Sequence, residues 1–128
     1  MLIKVTQILT GLLALILFGF AGLYLFNPLG ASELNGMIPN DAYGITNMRV
    51  NAAALASFGV MAAIGAVKKD FVFVAPAALY FLFVILIRLL GLALDGGHSD
   101  TIRGLVLAIV LFIIAEIGVQ VFKKNKAK

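Results

Sequence analysis

The stretch FVFVAPAALYFLFVILIRLLGLALDGGHSD, from Phe71 to Asp100, constrains this chain more than any other. Its apolar run is long enough to cross a bilayer, yet it carries Arg88 and ends in an acidic, glycine-rich turn. Three further apolar runs of similar length accompany it. Together they predict an all-α, polytopic membrane protein: four transmembrane helices in an antiparallel up-down bundle, with residues 1–128 forming one domain.

Composition agrees. Of 128 residues, 62% are hydrophobic and 12% charged, with a mean hydropathy of +1.10. Soluble domains carry roughly a quarter charged residues. The net charge of +4 does not imply nucleic acid, because five of the ten basic residues are Lys4 and the lysines of the KKNKAK tail, where they anchor a membrane protein. No cysteine is present and His98 is the only histidine, so no disulfide, thiolate metal site or cofactor is implied.

The chain divides at its polar breaks. Lys4 precedes an apolar run to Phe26, longer than the about 7–15 residues of a secretory signal and without a good cleavage site after it. It predicts an uncleaved helix over about 3–26, ended by Asn27-Pro28. Residues 27–45, rich in proline, glycine and asparagine, predict the longest loop, a lid or a linker. Thr46 or Asn47 is the expected cap of a second helix over about 46–67, whose small residues Ala52, Ala56, Gly59 and Ala63 share one side and should make it the most buried. The third helix is expected over about 71–94, with Pro76 early enough for a mild kink without a break, and the fourth over about 102–122, followed by a solvated tail. Lysine and arginine bias places the N-terminus, the 68–70 turn and the tail in the cytoplasm, which hold seven of the ten basic residues.

Two residues depart from the apolar pattern. Arg88, about 9 Å from the outer end of its helix, either snorkels to the headgroups or faces the bundle interior and marks a ligand site. Asn47, Arg49, Asn51, Asp95 and Arg103 fall at a similar level, so Arg49, Asn51, Arg88, Asp95 and Arg103 are the candidate ligand-binding set, an outward polar pocket suited to a phosphate or carboxylate. Glu116 lies in the opposite leaflet. With Gln120, or with Thr10 or Gln7, it makes either an interhelical hydrogen bond or a proton-coupling site. Asp95 and Asp100 around His98 suit helix ends better than a metal site or catalysis. Tyr24, Tyr43 and Tyr80 suit interfacial or packing positions, and Phe71, Phe73, Phe81 and Phe83 lipid-facing or core positions.

With these residues in view, the chain resembles a family of short four-helix bacterial inner-membrane proteins catalogued as a domain of unknown function. The resemblance covers nearly the whole length and rests on LFNP at the end of the first helix, NMRVNAAA, RLLGLALDG and a glutamate within the fourth helix. Members often place a glutamate two residues before the second-helix arginine and an aromatic-glycine pair after it, where this chain has Asn47 and Ala53-Ala54. The resemblance implies the architecture and no activity.

Three functional readings follow. The first is a non-enzymatic membrane protein that binds an anionic lipid or lipophilic small molecule, or serves as an accessory subunit in a homo-oligomer or larger membrane complex. The second is a small proton-coupled transporter using Glu116, similar to the dimeric four-helix multidrug exporters. Those carry their glutamate in the first helix and need a tryptophan, which this chain lacks. The third, an intramembrane isomerase or hydrolase using Glu116, Asp95 or His98, has no nucleophile and base pair to support it.

Overall fold

The computed structural model of the chain describes residues 1–34, 41–96 and 99–127. Among these, the elements are α1 (Leu2–Phe26), α2 (Pro28–Leu34), α3 (Ala42–Lys68), α4 (Phe71–Asp95) and α5 (Ser99–Ala127). Four of them, α1, α3, α4 and α5, are long and apolar enough to cross a membrane. They pack as a bundle in which α1 neighbours α3 and α5, and α4 neighbours α3 and α5. Consecutive spans are therefore adjacent and antiparallel. The closest pairings are α1 with α3 and α4 with α5.

The exterior identifies the medium. Leu12, Leu15, Val60, Leu79, Leu86, Ile87, Val106, Val110 and Ile113 all lie exposed, a girdle of apolar side chains that a water-soluble protein would bury. The interior is narrow and alanine-rich. Leu13, Leu17, Ala62, Val74, Ala77, Ala115 and Phe122 are fully buried, with Phe81 and Leu111 beside them. Phe58 of α3 meets Tyr80 of α4 with ring centroids 4.8 Å apart.

Local chemistry sets the boundaries, and three of them differ from the sequence expectation. The 27–45 segment contains α2, because Asn27-Pro28 both stops α1 and starts a new helix. The Asn27 side chain accepts from the Gly30 N–H at 3.2 Å, and Pro28 occupies the first helical position, where its missing donor costs nothing. The second span begins at Ala42 rather than near Thr46, because Asp41 caps it by accepting from the Gly44 N–H at 2.8 Å. The last span continues as helix through the lysine-rich tail to Ala127, where cations complement the carbonyl end of the dipole. Pro76 leaves α4 unbroken.

The α3–α4 turn is tight. Lys69 adopts a left-handed conformation (φ 54°, ψ 42°), the Asp70 N–H returns to the Gly65 carbonyl at 3.1 Å, and the Asp70 carboxylate accepts from the Val72 N–H at 3.0 Å. α3 has the largest buried share of the four spans. Its buried line runs through Ala52, Leu55, Gly59, Ala62, Gly65 and Ala66, with Ala56 and Ala63 only half-buried, so the small-residue face is rotated slightly from the expected one.

Glycine makes the closest approach. A Cβ at Gly65 would stand 2.6 Å from Val74 Cγ2 and 3.2 Å from the Asp70 carbonyl oxygen, whereas one at Gly11 would meet nothing within 4 Å. Gly65→Ala is therefore expected to destabilise the bundle by about 1–3 kcal/mol and Gly11→Ala to leave stability nearly unchanged, as read by thermal unfolding in detergent.

Candidate functional site

Polar side chains cluster toward the two ends of the bundle, and the two groups differ in kind. One end gathers the start of α1, the α3–α4 turn and the end of α5. This is shown by the Gln7 Nε2 donating across to the Ala66 carbonyl at 2.7 Å and by Lys126 facing Asp70 at 3.7 Å. The opposite end holds α2, the start of α3, the end of α4 and the start of α5, and with them Arg49, Arg88 and Arg103.

Arg88 sits seven residues before the end of α4, about 10 Å along the helix. Its guanidinium lies in the seam with α5, directly over Gly104. A Cβ on that glycine would come within 2.6 Å of Arg88 Cζ and Nη1 and 2.9 Å of Nη2. The seat exists because residue 104 has no side chain. The side chain is half-buried, and its charge lies within electrostatic reach of the Tyr80 hydroxyl, which also feels Tyr24. Among the described residues, it makes neither a hydrogen bond nor an ion pair.

The remaining candidates spread around this end. Arg49 and Asn51 are exposed on α3, as is Asn47, and Arg103 is exposed on α5 beside the glycine that seats Arg88. Arg49, Arg88 and Arg103 thus come from three different spans at similar distances from their helix ends. His98 lies outside the described residues, as do the side chains of Glu33, Asp95 and Asp100. Among the described residues no group of histidine and carboxylate side chains could hold a metal ion.

Glu116 is half-buried on α5 and accepts a hydrogen bond from Gln120 Nε2 at 2.8 Å. This bond runs along one helix rather than between two. Gln7 is committed to the Ala66 carbonyl instead, and Thr10 faces Gly118, whose Cβ, if present, would lie 2.9 Å from Thr10 Oγ1. Gln120 also lines a half-open cavity of about 280 Å³ with Met1, Leu2, Ile3, Val121, Lys124 and Asn125.

Two features were not legible in the sequence, where Thr10 entered only as a candidate partner for Glu116. Gly104 was one glycine among 13, with only its place after Arg103 in an apolar run to mark it. Thr6 and Thr10, four residues apart, are both fully buried. Thr6 Oγ1 donates to the Leu2 carbonyl at 2.8 Å, while Thr10 Oγ1 has no partner among the described residues.

No family model matches the chain, and neither does any curated protein or solved structure.

A buried hydroxyl without a partner costs more than the apolar group that would replace it. Thr10→Val, which keeps the shape, is expected to leave stability unchanged or raise it by up to about 1 kcal/mol, read as the midpoint of thermal unfolding.

Proposed function

We propose that this chain is a non-enzymatic protein of the bacterial inner membrane that holds the acidic head of an anionic lipid or lipophilic small molecule at Arg88, alone, as a homo-oligomer or as an accessory subunit. The observation that carries this reading is the guanidinium seated over Gly104 in the α4–α5 seam, half-buried and about 10 Å along the helix from the end of α4. A guanidinium presents a planar fork of donors that matches either oxyanion, and such a contact strengthens where water is scarce. Arg49 and Arg103, from the two flanking spans, supply further positive charge to the same end.

Sidedness follows from charge. The end bearing the chain termini and the 68–70 turn carries seven of the ten basic residues, which supports a cytoplasmic placement for it and an outward-facing arginine end.

Native mass spectrometry of the gently extracted protein tests the proposal by reporting copy number and co-purifying ligand together. Arg88→Ala is expected to lose the bound acidic molecule. Gly104→Ala is expected to lose it too with near-native folded yield, because the new methyl displaces the end of a flexible side chain rather than backbone. Retention of the ligand by both variants would overturn the assignment.

A second reading, proton-coupled transport, draws on the Glu116–Gln120 pair, since Gln120 borders the cavity at the opposite end. Glu116→Gln separates the two readings. On the binding reading the variant folds and retains ligand as the native protein does, whereas transport requires loss of a pH-driven flux in proteoliposomes.

A further inference from the structure

The end of the bundle opposite Arg88 carries Lys68 and Lys69 from the α3–α4 turn and Lys123, Lys124 and Lys126 from α5, all exposed. Their placement is ordered. Lys123 and Lys126, one turn apart, both approach the ring of Phe71, at 6.0 and 5.9 Å from its centroid, and Lys68 lies 5.8 Å from that of Phe73. Asp70 offsets part of this charge through Lys126 at 3.7 Å. Like charges three residues apart on one helix repel, and the negative face of the ring that Lys123 and Lys126 share compensates only in part.

The backbone supports the same conclusion. Lys69 occupies a left-handed position, φ 54°, where glycine is the usual residue because a Cβ is disfavoured there. The chain thus keeps an ammonium at a point where the fold alone would favour glycine. The lysines also border exposed apolar surface: Val67 is 78% exposed and Val72 52%. Positive charge at the rim of a lipid-facing girdle matches an amphiphile with an acidic head and apolar tails.

We infer that this end is a docking collar for the headgroups of anionic phospholipids, with Phe71 holding Lys123 and Lys126 in place to receive a phosphate. The collar is separate from the Arg88 seat and does not depend on what that seat binds.

The test uses the full chain in phosphatidylcholine vesicles containing a minor fraction of phosphatidylglycerol, with spin-labelled forms of each lipid as probes of the protein-bound population. The native protein is expected to prefer phosphatidylglycerol severalfold at low salt and to lose most of that preference at about 1 M salt. Removing collar charge by Lys69→Gly is expected to lower the preference by roughly half, and Lys123→Gln with Lys126→Gln to remove most of it. Lys69→Gly also relieves the left-handed backbone, so its unfolding midpoint should hold or rise, and a lost preference cannot then be attributed to misfolding. Phe71→Leu keeps every charge and should still weaken the preference, and the lysine variants should lower what preference remains in an Arg88→Gln background as well. The inference is overturned if the native protein shows no preference, if the lysine variants keep it in either background, or if Phe71→Leu matches the native protein.

Discussion

Lipid is as apolar as leucine, so burying leucine between helices gives spans in a bilayer no net reason to associate. What remains is close packing, and here closeness comes from residues with little or no side chain. Gly65 lies against Val74, Gly118 against Thr10 and Val74, and Gly59 against the ring of Phe18. Alanines at 62, 77 and 115 fill the interior between them. Each contact spends steric space that a methyl group would occupy. The exterior makes no such demand and is filled with leucine, isoleucine and valine.

The same absence of a side chain gives the half of the bundle that holds Arg88 its distinctive feature. A guanidinium on an isolated span would snorkel toward the headgroups, and a neighbouring helix with an ordinary residue facing it would push it outward. Gly104 removes that obstacle and lets Arg88 lie in the seam. The arginine and the glycine therefore form one structural unit contributed by two helices. At the other end, aromatic rings at 71 and 73 order the lysines in a comparable way, using the faces of the rings rather than a missing side chain.

The architecture was legible because length and hydropathy suffice for it: four runs that can span, separated by polar breaks, leave an up-down bundle as the economical arrangement. Helix starts were less legible where one residue served two roles. Asn27-Pro28 reads as a stop and is also a start, and Asp41 lies among turn-forming residues that mask its capping role. Depth along a helix was readable from residue counting, which put Arg49, Arg88 and Arg103 at one end and Glu116 toward the other. Direction around the helix was not. Whether Asn51 faces Arg88 or the exterior depends on a rotation that small residues on several sides of α3 leave open, and in the structure Asn51 is exposed. The seat for Arg88 was hidden for a related reason: hydropathy records what a residue contributes, whereas Gly104 matters for what it omits.

The seating of Arg88 over Gly104 is the point on which the functional reading turns, and a solid-state NMR distance measures it directly. In an Arg49→Lys, Arg103→Lys background, Arg88 is the one arginine left, so ¹⁵N-arginine with ¹³C-glycine labelling reports its guanidinium against glycine α-carbons in lipid bilayers. The structure predicts strong dipolar dephasing that survives Gly91→Ala and vanishes in Gly104→Ala. Dephasing that is absent, or that disappears with Gly91→Ala instead, would place the guanidinium outside the seam and contradict the seat.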